Sequence, residues 1–295
     1  MDAADLKVFE AVARLGAMSR AAAELHTVQS NVTARIRALE DELRTLLFDR
    51  HSHGVTLTDA GRRLMPYALQ MQRLLDEARR AAAEDGKPKG SLVIGSLETT
   101  AALRLSPFLA EYVAAYPEVD LVLRTGTSAE LVKDVLARRA EGAFVCGPVD
   151  HPDLNSRPIL REELVILTAP TQTNLDAVLQ KPDLKLIVLR AGCSYRQKLE
   201  DLLARRGIVG LRWLEFGTIE TIISCVAAGL GITLLPKALV GAVWREDRVA
   251  VHTLPASESI VETLFIRRRD GFISSALAAL LVRANGTAMQ AEAAE

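Results

Sequence analysis

The residues best suited to chemistry in this chain form a short polar run in which amide, hydroxyl and guanidinium groups recur at helical spacing. The run consists of Gln29, Ser30, Asn31, Thr33, Arg35 and Arg37. Amides and hydroxyls donate and accept hydrogen bonds, so they can contact base edges in the major groove of DNA, and arginines can neutralise phosphates. A plain surface helix looks similar, so the run alone leaves both interpretations open.

The polar run needs a rigid element to present it, and the sequence predicts a long amphipathic helix within residues 25–50. Its apolar positions are spaced four, three and four residues apart: Val32, Ile36, Leu39 and Leu43. This spacing places them on one buried stripe opposite the polar run. A first helix that ends at Gly16 precedes it, followed by a short helix with Ser19 as its cap and a further candidate contact to DNA. Three such helices predict a helix-turn-helix.

Two short extended segments follow the long helix and predict a two-stranded wing. The segments are residues 47–50 and 55–58, with a turn at Gly54. Arg50 and His53 lie in this region and are candidate contacts to DNA. The winged helix-turn-helix is therefore predicted over residues 1–58.

The ordered pattern over positions 6–61 resembles the LysR-type transcriptional regulator family. The resemblance rests on these residues: Leu6, Phe9, Ala13, Gly16, Ser19, Ala21, Ala22, Leu25, Gln29, Ser30, Val32, Ile36, Leu39, Glu40, Leu43, Leu47, Phe48, Arg50, Gly54, Leu57, Thr58, Ala60 and Gly61. It implies a transcriptional regulator that binds double-stranded promoter DNA, with RNA polymerase as a further partner. Arg44 stands where the family usually has glycine, which is unfavourable for a left-handed helix end, and His53 stands where arginine is frequent, which should weaken a minor-groove contact.

The charge balance and the cysteines exclude several classes of protein. The chain contains 36 Lys and Arg against 37 Asp and Glu, and basic and acidic residues are equal in number within residues 1–63. Affinity for DNA must therefore come from the arrangement of basic residues on one face. No segment resembles a signal peptide or a membrane span, which predicts a cytoplasmic protein without a membrane partner. The three cysteines are widely separated, and no ligand spacing for a metal is present, so reduced thiols, no metal and no cofactor are expected.

Residues 59–86 are predicted to form a long linker helix, with Thr58 as its cap and Pro66 disturbing its early turns. Its apolar residues follow a heptad pattern: Leu64, Ala68, Met71, Leu75, Ala78 and Ala82. Such a seam favours pairing with a second copy, although packing on its own domain is the alternative. A homodimer is therefore expected, and the family resemblance implies a homotetramer. Residues 87–91 are predicted to be a polar hinge.

Beyond the hinge, short strands alternate with helices over residues 92–295, which predicts parallel open sheets. The two halves resemble the effector-binding domain of the LysR family, which is similar to periplasmic solute-binding proteins. The resemblance implies subdomain I over 92–162 and 266–295, subdomain II over 163–265, crossovers near 161–163 and 265–268, and a small-molecule effector in the cleft between them. The predicted fold class is α+β multidomain, with a winged helix-turn-helix, a linker helix and a bilobal α/β periplasmic-binding-protein-like effector domain.

The candidate effector residues lie where strands end and helices begin, because hydroxyls and free backbone donors there favour an anion or polar acid. The candidates are Ser96, Glu98, Thr99, Thr100, Thr127, Ser128, Cys146, Arg190, Cys193, Ser194, Tyr195, Phe216 and Thr218. Helix capping explains any single serine or threonine equally well, so the prediction depends on their convergence. The sequence leaves two roles open for Arg190, namely contact with the carboxylate of a ligand or a structural ion pair. Cys193 lies just before a helix, a position that favours the reactive thiolate. A redox or thiol-responsive regulator that uses Cys193 is therefore the alternative function.

Other functions are disfavoured by what the sequence lacks. The five histidines have no serine or cysteine partner at a nucleophile elbow, and GxSxG, Walker A and GxGxxG motifs are absent, so no catalytic residue is predicted. A periplasmic transport protein would need a signal peptide, and an architectural DNA-binding protein would not need the bilobal region. A cytoplasmic solute-binding protein without regulatory output remains an alternative. The segments SLETTAALRL, RAGCSYR and SCVAAGLGI most resemble a LysR subgroup that includes regulators linked to thiosulfate oxidation and cell division.

Overall fold

The chain folds into two compact units, Met1–Glu84 and Asp85–Glu295. The computed structural model describes residues 1–51, 54–189, 192–242 and 248–292. Within that part of the chain, no helix combines the length and apolar character needed to cross a membrane.

The N-terminal unit is a three-helix core with a two-stranded wing and a long final helix, as predicted. Its elements are α1 (Ala3–Leu15), α2 (Met18–Glu24), α3 (Gln29–Leu43), β1 (Phe48–His51), β2 (Gly54–Leu57) and α4 (Asp59–Ala82). Phe9 and Val12 of α1 are fully buried with Val32 and Ile36 of α3. The ring of Phe9 also packs against Phe48 of the wing, with centroids 5.3 Å apart. The spacing of apolar residues therefore builds the core that orients α3.

Two helix ends differ from expectation. Helix α2 begins at Met18 with Ala17 in the extended conformation as its N-cap, and no side chain caps it. The prediction that Ser19 caps α2 is therefore wrong, because Ser19 already lies inside the helix. At the end of α3, Arg44 adopts the left-handed conformation, with φ of 52°, that glycine usually takes there. The departure from glycine thus leaves the geometry of the helix end unchanged, at the cost of some strain.

Helix α4 begins as predicted and continues through Pro66. The hydroxyl of Thr58 accepts a hydrogen bond from the backbone N–H of Gly61. Gly61 itself packs tightly on the wing, since a Cβ there would lie 2.3 Å from the carbonyl oxygen of Leu47. Farther along, Tyr67, Met71 and Leu74 are exposed on this helix.

The C-terminal unit alternates strands and helices. Its elements are β3 (Gly90–Ser96), α5 (Glu98–Thr100), a π-helical turn (Ala101–Leu105), α6 (Ser106–Ala115), β4 (Val119–Thr125), α7 (Ser128–Leu136), β5 (Gly142–Cys146), β6 (Leu154–Thr168), α8 (Leu175–Leu179), β7 (Lys185–Leu189), α9 (Ser194–Arg205), β8 (Arg212–Phe216), α10 (Ile219–Ala227), β9 (Thr233–Pro236), α11 (Leu239–Ala242), β10 (Ala250–Thr253), α12 (Ala256–Ser259), β11 (Ile260–Arg268) and α13 (Ser275–Glu292).

A seven-stranded sheet runs through the unit in the order β10-β6-β11-β5-β3-β4, with β9 also paired to β6. Strand β3 is parallel to β4 and β5, and β7 is parallel to β8, as predicted. Strands β6 and β11 run antiparallel along each other and connect two lobes. Lobe I contains β3 to β5 with their helices, and lobe II contains β7 to β10 with theirs. The expectation of purely parallel sheets is therefore wrong for these connecting strands, because each must return between the lobes against its neighbour.

The strand pairing locates the two connections. Strand β6 begins to pair with β9 of lobe II at Leu164, next to the crossover expected near 161–163. Residues Thr263–Ile266 of β11 pair with Ala143–Cys146 of β5, inside lobe I. The predicted second crossover at 265–268, and the subdomain boundary between 265 and 266, are therefore wrong, because those residues lie within a continuous ladder with β5 and β6. The chain therefore returns from lobe II to lobe I by Thr263.

Candidate functional site

The outer face of α3 presents most of the predicted polar run. Gln29, Ser30, Asn31 and Arg37 are exposed, whereas Thr33 and Arg35 are half-buried. Asn31 donates to the hydroxyl of Thr27 at 2.9 Å, and the Thr33 hydroxyl donates back to the carbonyl of Gln29 at 2.9 Å. The first turn of α3 is thus polar and stiffened by local bonds, which suits contact with base edges.

The arginines near α3 differ in how freely they can reach DNA. Arg35 pairs with Asp5 of α1 at 2.8 Å, so its guanidinium ties α3 to α1. Arg37 makes no side-chain hydrogen bond within the described part of the chain and is exposed. Ser19 is exposed on α2, while His53 lies outside the described residues. Arg37 is therefore the arginine of α3 best placed for a phosphate.

Glu40 connects α3 to the wing and was not singled out from the sequence as a functional residue. Its buried carboxylate accepts hydrogen bonds from the backbone N–H groups of Leu47 at 2.8 Å and Phe48 at 3.2 Å. The second carboxylate oxygen lies 3.5 Å from a guanidinium nitrogen of Arg50. A glutamate beside Leu39 on the apolar stripe was the available signal. Glu40 thus positions both the start of β1 and Arg50, a candidate contact to DNA.

A recess of about 440 Å³, counting space open to solvent, lies where the two lobes meet. Its lining comes from the starts of helices in both lobes: Leu97, Glu98, Thr99, Thr125, Gly126, Thr127, Leu189, Cys193, Tyr195 and Gly217. The structure therefore brings together five predicted effector residues, namely Glu98, Thr99, Thr127, Cys193 and Tyr195.

A chain of buried hydroxyls connects the recess to the crossing strands. The Tyr195 hydroxyl lies 3.3 Å from the Thr99 hydroxyl and donates to the carboxylate of Glu162 on β6 at 3.4 Å. Thr263 of β11 donates to the same carboxylate oxygen at 3.2 Å. Burial raises the pKa of Glu162, while these hydroxyl donors and Arg104 oppose the rise. Glu162 was not predicted, because a lone glutamate in a strand carries no motif.

Other predicted effector residues lie in a second, larger opening of about 1500 Å³ that Ser128, Cys146 and Ser194 help to line. The Ser194 hydroxyl of lobe II donates to the Ser128 hydroxyl of lobe I at 2.9 Å. Ser128 also accepts from the backbone N–H of Cys146 at 3.3 Å. The two lobes are therefore in direct contact at this opening.

Four further predicted effector residues line neither the recess nor the larger opening. Ser96 is fully buried and donates to the carbonyl of Leu97, and Phe216 packs against the apolar core of lobe II. Thr218 caps α10 by accepting from the N–H of Thr221. Thr100 is fully buried beside the recess, and its hydroxyl has no partner among the described residues. Arg190 lies outside the described residues.

The thiols at the lobe junction are poorly suited to redox chemistry. Burial raises the pKa of the Cys146 thiol to about 11 and also raises the pKa of Cys193. Because the thiolate is the reactive form, both sulfurs are weak nucleophiles near neutral pH. The described residues also contain no group of three or more metal-binding side chains.

Comparison with known proteins decides the family. Residues 3–62 match the family described as bacterial regulatory helix-turn-helix protein, lysR family, and residues 85–285 match the LysR substrate binding domain. The HTH-type transcriptional regulator GltR of Bacillus subtilis is 44% identical over 276 residues, which cover 94% of this chain and 93% of GltR.

The chain belongs to the LysR family. A second relative of this LysR-family chain, the HTH-type transcriptional regulator YofA of Bacillus subtilis, is 42% identical over 285 residues, covering 97% of this chain and 99% of YofA. Full-length CbnR complexed with its target DNA has a TM-score of 0.67 at 23% identity, covering 97% of this chain and 100% of CbnR, and shares the fold. The LysR-family chain is thus a DNA-binding transcriptional regulator with an effector-binding domain.

Proposed function

We propose that this regulator binds promoter DNA through the first turn of α3 and the wing, and that a small polar acid in the interlobe recess controls that binding. The observation that carries the proposal is the position of the recess. Its lining comes from both lobes, and its buried wall reaches Glu162 and Thr263 on the two strands that connect them. A ligand there contacts Thr99 and Tyr195, which hydrogen bonds connect to the strands that any relative movement of the lobes must bend.

An acid group has a binding position at the recess. Leu97, the N-cap of the helical segment that starts at Glu98, makes no side-chain capping bond. That segment continues through the π-helical turn into α6 and ends at Ala115. Its first backbone N–H groups lack carbonyl partners within the helix, and the helix dipole favours negative charge there.

The ligand signals by changing the relative population of lobe arrangements. A ligand that binds one closure of the lobes better than another shifts the equilibrium by its differential affinity. Paired through α4, two copies would present two winged helices to a partly palindromic operator. We propose that the protein forms a homodimer or homotetramer and contacts RNA polymerase. We also propose that it belongs to the subgroup linked to thiosulfate oxidation and cell division, which three segments of its sequence resemble.

Footprinting on the chain's own promoter region, with and without candidate acids, tests the proposal. Gln29→Ala should weaken binding to the protected site roughly tenfold while leaving binding to scrambled DNA unchanged, since a good base contact contributes about 1–3 kcal/mol. Thr99→Val, which changes the recess wall, should abolish the response to the acid and preserve binding to DNA. Equal loss on both DNAs for Gln29→Ala would remove base recognition by α3, and a full acid response in Thr99→Val would remove the recess as the control site.

A further inference from the structure

The direction of the hydrogen bonds around the recess limits what a ligand there can offer. Glu162 is only 4% exposed, and a carboxylate can accept hydrogen bonds but not donate them. Tyr195 and Thr263 both direct their hydroxyl protons to its Oε2 atom. Burial raises the pKa of Tyr195 well above its usual value, so the phenol keeps the one proton that it gives to Glu162.

Thr99 continues this chain toward the recess. Its hydroxyl lies 3.3 Å from that of Tyr195. Because the proton of Tyr195 is committed to Glu162, the hydroxyl of Thr99 must be the donor in this pair. The oxygen of Thr99 is then left as an acceptor at the recess wall.

The other recess side chains have the same polarity. The Thr127 hydroxyl donates to the carboxylate of Glu130 at 3.0 Å, so its proton is committed, and its oxygen accepts from the backbone N–H of Glu130 at 3.3 Å, which leaves one lone pair. Glu98 is the charged residue among the described residues that line the recess. The side chains of Thr99, Thr127 and Glu98 therefore present acceptors, and a bound group facing them must supply the donors.

Three buried polar atoms behind the recess wall have no hydrogen-bond partner among the described residues. They are Glu162 Oε1, Thr100 Oγ1 and Arg104 Nε. Glu162 and Thr100 are both more than nine-tenths buried. Buried polar atoms are normally satisfied, so these atoms, which lie behind Thr99 and Tyr195 and outside the recess lining, show that the polar groups behind the recess wall have unused hydrogen-bonding capacity.

We infer that the recess takes an α-amino acid, whose ammonium group donates to Thr99, Thr127 and Glu98 while its carboxylate lies at the start of the helical segment that begins at Glu98. The inference rests on the proposed function and narrows its polar acid to an amine-bearing one. A simple carboxylate would offer no donor to these side chains and no positive charge to balance the carboxylates of Glu98 and of the ligand. An amine without an acid group would leave the helix start unoccupied.

Melting of the full-length protein with matched ligand pairs tests the inference. Each pair contains an amino acid and the same acid without its amine: alanine with propionate, aspartate with succinate, and leucine with 4-methylpentanoate. Ligands that bind the folded protein raise its melting temperature by mass action. For at least one pair, the amino acid should reach its half-maximal shift at a concentration roughly tenfold below that of the deaminated acid, since hydrogen bonds to a charged group are strong.

Variants of the hydroxyl chain connect this preference to the structure. Glu162→Gln places an amide that can donate beside Tyr195, which allows the chain to reverse and Thr99 to donate into the recess. Discrimination within a pair should then fall to about twofold. Tyr195→Phe breaks the chain and should act in the same direction. Glu163→Gln is the matched control, because its carboxylate pairs with Lys237 on the surface at 2.9 Å, and it should keep the wild-type preference.

Operator binding measured on the same samples separates the two levels of proposal. If deaminated acids shift melting and operator binding as strongly as amino acids, the inference fails and the proposed function stands. Unchanged discrimination in both Glu162→Gln and Tyr195→Phe also overturns it. If no member of any pair shifts melting, the amino-acid inference fails, and only if operator binding also ignores every acid tested does the proposed effector control fail with it.

Discussion

At the scale of single residues, burial at the lobe junction decides between two kinds of control. Cys146 and Cys193 are buried on opposite lobes, and burial raises the pKa of both thiols, whereas Cys225 on α10 is half-buried. With iodoacetamide at pH 7.5, Cys225 should be alkylated well before the other two, as followed by peptide mass spectrometry. Alkylation of Cys193 ahead of Cys225 would instead favour a thiol-responsive regulator, because only an exposed thiolate reacts quickly.

Glu40 supports a second prediction at this scale. Glu40→Ala removes the acceptor for the N–H groups of Leu47 and Phe48, and leaving buried donors unsatisfied costs about 1–3 kcal/mol. Urea unfolding should show this loss. Glu40→Gln keeps an acceptor oxygen and should retain most of the stability, which makes it the matched control. A Glu40→Gln protein as unstable as Glu40→Ala would show that the charge, rather than the acceptor geometry, stabilises the wing.

At the scale of elements, periodicity predicted what local contacts determine and missed what long-range pairing determines. The four, three, four spacing from Val32 predicted α3, because one buried stripe suffices to orient a helix. The same logic missed the direction of β11, since a strand's partners depend on residues such as Phe144 that lie more than a hundred positions away. Half of the recess lining was predicted, because strand ends meet helix starts there, but Glu162 lies inside a strand and only the fold brings it beside Tyr195.

Helix α4 shows the same difference between pattern and packing. Ala68, in the predicted seam, is buried in the N-terminal unit, and Leu64 packs against the same core. Met71 of the predicted seam is exposed, and it forms an apolar stripe with Tyr67 and Leu74, which the predicted seam did not include. Tyr67, Met71 and Leu74 are 68%, 40% and 46% exposed and are spaced four and three. This stripe keeps the heptad spacing of a helix pair.

Leu74→Asp should therefore disrupt self-association, because a charge in an apolar seam is desolvated without a partner. Analytical ultracentrifugation at micromolar concentration should show a dimer or tetramer for the wild-type protein and a smaller species for the variant. Arg80→Asp introduces a carboxylate at an exposed position on the opposite side of α4 and should leave the assembly intact. A wild-type monomer, or equal effects of the two variants, would contradict pairing through this stripe.

At the scale of the whole effector-binding unit, the described residues include several kinds of connection between the lobes. Strands β6 and β11 provide the covalent connections, the Glu162 cluster joins them to the recess, and the hydroxyl pair Ser194 and Ser128 joins the lobes directly. Of these, the hydroxyl pair can be removed without changing the strands or the recess. It therefore isolates the energetic contribution of lobe contact.

Ser194→Ala should make the closed arrangement of the lobes less stable and expose the junction thiols more often. One neutral hydrogen bond contributes about 0.5–1.5 kcal/mol, so the open population should rise about two- to tenfold. When opening is fast compared with alkylation, the iodoacetamide rates at Cys146 and Cys193 should rise by the same factor, while that of Cys225 stays constant. Ser106→Ala is the matched control, because its hydroxyl bonds within lobe I to the carbonyl of Ala101. Unchanged junction rates in Ser194→Ala would mean that the lobes do not separate at this contact, and the recess would then have to signal without opening there.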